Sequence, residues 1–226
     1  MAKTTSIDLR REAVAELGKA LREAIVALVA TEVSNDDILA AASTAREISE
    51  LLARASRPLK KLASIDDLQS GVRFFSPIVG PGNPMAPPLQ FRSLNDGIVS
   101  HATLDRRFEG PAGFVHGGIT ALIFDEALGR AAAHALRWGM TASLTVDYRQ
   151  AVPLDTPLEI TARVTSKDGR KTTLEGVIAL ASAPGIHLAS AHGLFIQPRQ
   201  EKHAEYFGDL VDSNGEPASG NFGVFE

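Results

Sequence analysis

The chain has 226 residues, of which 44% are hydrophobic and 22% charged, and its net charge is −4 at pH 7. This composition is typical of a globular protein of one domain with an extension, and the negative charge argues against a general nucleic-acid-binding function. The chain has no cysteine, which excludes disulfides and thiol chemistry, and neither a secretory pattern nor a membrane span is predicted near its start, so we expect a cytoplasmic protein.

The first part of the chain shows the apolar spacing of two helices over residues 6–57. The first helix is marked by Val14, Leu17, Leu21, Ile25 and Leu28. Ser34, followed by two aspartates, is typical of the N-cap that starts the second helix, and Pro58 ends the pattern. We therefore expect an N-terminal helical extension over 1–62, a helical hairpin that packs on the following domain or on a dimer mate. A module for a partner protein is the alternative.

A Pro-rich arm is predicted over 63–88, because residues 77–88 contain five prolines and two glycines and cannot form regular sheet or helix. Alternating or apolar runs then predict strands at 89–94, 98–104, 141–150, 158–166, 171–181 and 187–197, with turn signals at Asn95-Asp96-Gly97 and Asp168-Gly169. One long helix ending near Leu136 lies among them. We expect an α+β domain over 89–198, in which an antiparallel sheet wraps round the central helix, and an irregular or mobile tail over 199–226. Docking of the tail by Phe222 and Phe225 is the alternative.

The most informative stretch is His116-Gly117-Gly118, which opens onto a helix that is apolar nearly all round. Such a helix belongs inside a fold, where a carboxylate is costly unless it is paired or functional. Arg130 lies four residues after Glu126, a spacing that predicts a salt bridge, so Asp125 is favoured as the functional carboxylate and Glu126 is its rival. Gly117 offers a free backbone N–H at the start of the helix, which could bind an oxyanion. The alternative is that glycine only permits a tight junction between loop and helix.

His116 and Asp125 are nine residues apart, which is about 2.5 helical turns and roughly 13 Å along the axis. If both are helical, they lie on opposite faces and cannot act on one bond within one chain. Two such helices running antiparallel across a two-fold axis would bring them together. The spacing therefore predicts a homodimer with two shared sites.

These residues carry a resemblance to the hotdog-fold acyl-CoA thioesterases of the PaaI type. It covers about 88–198 and is strong over 108–149. His116-Gly117-Gly118, Asp125 nine residues later and the segment Thr141-Ala142-Ser143-Leu144-Thr145-Val146-Asp147-Tyr148-Arg149 match the pattern, as does the preceding Gly82-Asn83-Pro84-Met85-Ala86-Pro87-Pro88. The resemblance implies a hotdog fold, a homodimer or dimer of dimers, and hydrolysis of an acyl-CoA substrate to free acid and CoA. It implies no metal or redox cofactor, coenzyme A entering only as part of the substrate.

The resemblance also assigns roles to residues. The Gly117 amide would be the oxyanion donor, His116 a hydrogen-bonding support, and Asp125 the general base or the nucleophile. For His116, a helix-capping or core histidine is the alternative. Thr141 would support the site by holding either the attacking water or Asp125; an ordinary strand threonine is the alternative. One departure stands out, because some members have an Asn six residues before the His, where this chain has Gly110.

Two rival functions remain open at the sequence level. One is a non-catalytic hotdog module that binds acyl-CoA, and the other is a hotdog enoyl-CoA hydratase, which usually shows an Asp and a His a few residues apart. The phosphates of CoA call for basic groups near the site. Candidates are Arg149, Arg163, Lys167, Arg170 and Lys171, although each is more often a surface charge.

Overall fold

The structure is a computed structural model that describes residues 5–66, 71 and 73–218. Its helices are α1 (Ser6–Ala30), α2 (Asn35–Ala53), α3 (Gly117–His134) and α4 (Gln200–Phe207), and a short 3-10 helix spans Arg106–Phe108. Its strands are β1 (Phe91–Leu94), β2 (Gly97–Thr103), β3 (Met140–Tyr148), β4 (Pro157–Asp168), β5 (Lys171–Leu180) and β6 (Ala183–Ile196). None of the helices within these ranges combines the length and the apolar character that a membrane crossing requires.

The six strands form one antiparallel sheet in the order β1-β2-β4-β5-β6-β3. Helix α3 packs across strands β2 to β6, and its Phe124, Ala127 and Leu128 are completely buried in the main core. Because apolar side chains recur on nearly every side of α3, the helix is stable only when the sheet surrounds it. The predicted α+β architecture, a hotdog arrangement of sheet around a central helix, is confirmed.

Strand β3 is an edge strand whose outer side pairs with no other described strand. Most of its nine residues are exposed, and it contains neither Pro nor Lys, the residues that commonly protect a free edge from further pairing. A register shift against β6 between Thr141 and Ser143 marks a bulge at Ala142. Residues three apart on a regular strand point to opposite faces, but this bulge lets both Thr141 and Leu144 point toward α3.

Helix α1 is fixed to the Pro-rich arm by close backbone packing. A Cβ on Gly18 would lie 2.3 Å from the Pro81 carbonyl oxygen, so only glycine permits this approach. Arg22 donates to the carbonyl oxygens of Pro81 (2.9 Å) and Asn83 (3.2 Å). The arm itself contains neither helix nor strand from 73 to 90, as its prolines predict. The arm precedes β1 in the chain, and α1 packs against it through Gly18 and Arg22.

The two predicted N-terminal helices are confirmed, including Ser34 as the N-cap of α2, although α2 ends at Ala53 rather than at Pro58. None of the residues of α2 is buried. In the single chain α2 is therefore not buried against the following domain, and packing of the hairpin on a dimer mate stays a prediction.

The prediction of an irregular tail from 199 onward is wrong for residues 200–207, which form α4. Helix α4 packs its aromatic residues on Trp138, with ring centroids 6.3 Å from His203 and 6.1 Å from Phe207. The following segment returns to the N-terminal region, where Val211 bridges to Lys61. Phe222 and Phe225, whose docking of the tail is the alternative expectation, lie outside the described residues.

Candidate active site

A tight loop positions the start of α3. The His116 amide donates to the Phe108 carbonyl oxygen (2.8 Å), and the Gly113 amide donates to Glu109 Oε1 (2.8 Å). His116 is the N-cap residue of α3, and its Nδ1 accepts a hydrogen bond from the Gly118 amide at 3.0 Å. Since Nδ1 is the acceptor, the proton of the neutral ring resides on Nε2, which gives the exposed imidazole a donor for a substrate.

The loop leaves no room for a side chain at position 110. A Cβ on Gly110 would lie 2.7 Å from the His116 Cα and 3.0 Å from its Cβ. The Asn that some relatives place here would therefore require the loop to shift. Glu109, the neighbouring polar residue, already accepts a hydrogen bond from the Gly113 amide.

The loop is also tied to the Pro-rich arm through Arg107. Its guanidinium forms a bidentate interaction with the Asp105 carboxylate (Nη2–Oδ2 2.8 Å) and donates to the Pro84 carbonyl oxygen at 2.9 Å. Burial disfavours ionisation of Asp105, but the hydrogen bonds and charge of Arg107 outweigh it and lower the pKa of this carboxyl. The Arg107–Asp105 ion pair therefore stabilises the segment that precedes α3.

Gly117 is the first residue of α3, and its N–H has no acceptor among the residues that the structure describes. The Gly117 carbonyl oxygen accepts from the Tyr148 hydroxyl at 2.8 Å, which fixes this end of the helix to the last residue of β3. A free N–H at a helix N-terminus is suited to a developing negative charge. Tyr148 was not singled out from the sequence, although it lies in the Thr141–Arg149 segment and alternates onto the same face as Leu144 and Val146.

Asp125 and Thr141 are brought together by the fold. The Thr141 hydroxyl donates to Asp125 Oδ1 at 2.7 Å, and the half-buried Asp125 makes no further hydrogen bond to any described residue. Oδ2 is thus left for a water or a substrate. Of the two roles considered for Thr141, the geometry shows direct support of the carboxylate.

Glu126 is occupied by the predicted salt bridge. Arg130 Nε lies 2.6 Å from Glu126 Oε1, and the Arg130 guanidinium also stacks 5.2 Å above the Phe91 ring. The predicted pairing of Glu126 with Arg130 is confirmed, which leaves Asp125 as the carboxylate without a cationic partner in the described chain.

Asp125 opens onto a cavity of about 510 Å³ between α3, the arm and the start of β3. Apolar surface on its walls comes from Pro77, Val79, Trp138 and Phe195, and Gly129 leaves space beside the helix. Glu126, Arg73 and Arg130 also line the cavity, and Glu126 is paired with Arg130. A cavity with apolar walls and a few placed polar groups is the usual form of a small-molecule site. Trp138 and the arm residues were not predicted as part of the site, because nothing local in the sequence places them near Asp125.

The structure separates the candidate residues into two pairs within one chain. His116 and Gly117 lie at the N-terminus of α3, whereas Asp125, held by Thr141, lies eight residues after Gly117, about 12 Å along the helix. A single chain therefore contains both pairs of candidate residues without bringing them together.

The Thr141–Asp125 hydrogen bond makes a direct prediction. Thr141→Val keeps the side-chain volume but removes the hydroxyl, and we expect turnover to fall about tenfold, because a hydrogen bond to a charged group is lost. Steady-state kinetics should show the loss in kcat with little change in KM. Thr141→Ser retains the hydroxyl and should stay close to native activity. Equal activity of the Val variant and the native protein would assign Thr141 a purely structural role.

Comparisons with known proteins point to one superfamily. Residues 112–179 match the family model of the thioesterase superfamily. The acyl-coenzyme A thioesterase THEM4 of Xenopus laevis is 43% identical over 63 residues, which is 28% of each chain. THEM4 of Bos taurus is 32% identical over 94 residues, 42% of this chain and 38% of that protein. The chain thus matches well under half the length of these two relatives.

A crystal structure of a thioesterase superfamily protein provides the more extensive match. It is 35% identical, with a TM-score of 0.72, and the alignment covers 81% of this chain and 94% of that one. The match therefore extends well beyond residues 112–179. Together with the sheet around α3, it shows that the chain belongs to the thioesterase superfamily.

Proposed function

We propose that this protein is an acyl-CoA thioesterase of the PaaI type, which hydrolyses an acyl-CoA to the free acid and CoA. The observation that carries the proposal is the Thr141–Asp125 pair at the wall of a cavity whose lining is partly apolar. A carboxylate that is held in place but has no cationic partner is suited to activate a water beside a bound acyl group.

The chemistry requires one base and one oxyanion site. Asp125 Oδ2 takes a proton from water as the water oxygen attacks the thioester carbonyl carbon. The tetrahedral oxyanion then collapses, the C–S bond breaks, and the thiolate of CoA leaves and takes up the proton that Asp125 accepted from water. Direct attack by Asp125, which would form a mixed anhydride that water then cleaves, is the second route. Transfer of 18O from labelled water into Asp125 during a single turnover would identify that route.

Gly117 is suited to the oxyanion role because its N–H is free at the start of α3. The Nε2–H of His116 supplies a second donor beside it. Neither group is close to Asp125 of the same chain along the helix, so we propose that they act on the substrate held by Asp125 of the partner subunit.

The exposed edge strand supports this sharing. Thr141, near the start of β3, contacts Asp125, and Tyr148, at its end, contacts Gly117. Antiparallel pairing of two β3 strands centred near Leu144 and Thr145 would place Thr141 of one protomer opposite Tyr148 of the partner subunit. The same two-fold axis would bring Asp125 of one α3 toward Gly117 of the partner subunit. Such a homodimer joins the two halves of each site and covers the free edge.

A panel of acyl-CoAs with a thiol reagent tests the proposal. We expect release of free CoA from at least one aliphatic or aromatic acyl-CoA by the purified protein, at a rate proportional to its concentration. Tight binding without thiol release would favour the non-catalytic binding module, and water addition to an enoyl-CoA would favour the hydratase. The panel also determines the acyl group preferred by the cavity beside Asp125.

A further inference from the structure

A second cavity of about 410 Å³ lies beside the start of β3. Thr141 lines it, and the same hydroxyl is bonded to Asp125, which lines the larger cavity. One end of the second cavity therefore lies next to the candidate catalytic carboxylate. The function proposed above leaves this cavity unassigned.

Three cations converge on the second cavity from distant parts of the chain. Arg170 comes from the turn between β4 and β5, whereas Arg199 and Lys202 come from the start of α4. No carboxylate is among the described residues that line the cavity, although the chain as a whole has a net charge of −4. A local excess of positive charge on an acidic protein indicates an anionic ligand.

Two of these cations have limited structural roles. Arg199 is the N-cap residue of α4 but makes no side-chain cap hydrogen bond. Lys202 pairs with the exposed Glu205 at 2.5 Å, and this hydrogen bond raises the pKa of Lys202, which keeps its ammonium charged at neutral pH. Arg170 differs, because its guanidinium donates to the Gln197 carbonyl oxygen at 2.7 Å and so holds the turn against the end of β6.

Aromatic packing of α4 on Trp138 fixes the orientation of the helix that carries Lys202. His203 and Phe207 of α4 contact each other with ring centroids 5.0 Å apart, and both pack on Trp138. This contact leaves Lys202 and Tyr206, on the neighbouring side of the helix, facing the cavity. The half-exposed Tyr206 ring adds a flat surface beside the charges, which is suited to stack on a base.

We propose that this pocket binds the phosphate end of coenzyme A, with Arg199 and Lys202 contacting the phosphates, Arg170 adding charge and Tyr206 accepting the adenine. The assignment rests on the proposed acyl-CoA thioesterase function and names the residues that hold the leaving group.

The distance between Thr141 and the Arg170 end of the pocket is consistent with the extended shape of an acyl-CoA. The pantetheine arm separates the thioester from the phosphates, so the phosphates have to bind at the end of the pocket that is farther from Thr141 and Asp125. Thr141 pairs with Phe195 on β6, and Phe195 pairs with Thr172 on β5, close to Arg170. Two strand spacings, about 10 Å, therefore separate Thr141 from the β5 end of the pocket. The pantetheine arm would cross the ends of β3, β6 and β5.

The test compares two substrates that share an acyl group. One is the acyl-CoA that the native protein cleaves best, and the other is the N-acetylcysteamine thioester of the same acid, which lacks the phosphates and adenine. For the Arg199→Gln/Lys202→Gln double variant we expect KM for the acyl-CoA to rise about tenfold with kcat unchanged, because two charged contacts are lost. KM for the truncated thioester should not change. An Arg199→Lys variant, which keeps the charge, should recover most of the affinity.

The matched control removes the same charge elsewhere, in Lys19→Gln/Arg46→Gln on α1 and α2, and should leave both substrates unaffected. An unchanged KM for the acyl-CoA in the α4 variant would overturn the assignment, as would an equal rise for both substrates. Failure of the thioesterase proposal is a separate result, because the native protein would then release no thiol from either substrate.

Discussion

Replacing Asp125 by Asn is expected to lower turnover about 10²- to 10⁴-fold while the fold is retained, because the change is nearly isosteric and removes the proposed general base. Asp125 is half-buried and bonded only to Thr141 among the residues that the structure describes, so an amide can occupy its place. Thiol release under saturating acyl-CoA measures the loss, and circular dichroism with thermal unfolding verifies the fold.

Glu126→Gln is the matched control on the same helix. It removes a neighbouring carboxylate of similar size, at the expense of the salt bridge to Arg130, which is about one-third exposed. An ion pair of this kind contributes little to stability, so we expect activity within a few-fold of the native value. An inactive Glu126→Gln protein together with an active Asp125→Asn protein would reverse the assignment of the two carboxylates.

Mixing two inactive proteins is expected to restore activity if each site is shared between protomers. The first partner is Asp125→Asn and the second is Gly117→Pro, which deletes the proposed oxyanion N–H. In a mixed dimer one site carries both lesions and the other carries neither, so about half of the native activity per heterodimer is the ceiling. Co-expression with two different affinity tags would isolate the heterodimer for the assay.

The Gly117→Pro substitution is compatible with the local backbone. Proline is tolerated at the first helical position, and His116 has φ −61° and ψ 135°, the extended conformation that the residue before a proline prefers. A Cβ at position 117 would meet the Tyr148 ring at an ordinary 3.5 Å. Isolated heterodimers that stay inactive, with both parent proteins folded, would show that each protomer contains a complete site.

The local structure of the domain followed from the sequence because it depends on neighbouring residues. The turn signals, the alternating runs and the apolar stretch after Gly118 located the six strands and α3 to within a few residues. Spacing alone also predicted the Glu126–Arg130 pair, because helical geometry fixes the contacts of residues four apart. The same geometry placed His116 and Asp125 far apart on one helix.

Helix α4 shows where this approach failed. Its eight residues are too few to display a clear apolar period, and its packing surface is provided by Trp138, some sixty residues earlier in the chain. The helix is therefore stabilised by a tertiary contact that no local pattern records. The convergence of Arg170 with Arg199 and Lys202 depends on that same contact.

The sequence by itself determined the α+β class, the central helix and the candidates His116, Gly117 and Asp125, since periodicity and spacing are local properties of the chain; Thr141 was added by the family resemblance. Only the tertiary structure decided how those residues meet. The bulge at Ala142 turns Thr141 toward Asp125, and the close packing at Gly110 fixes His116 as the cap of α3. These contacts join segments distant in sequence, and their geometry depends on the register of β3 against β6 and on the path of the loop.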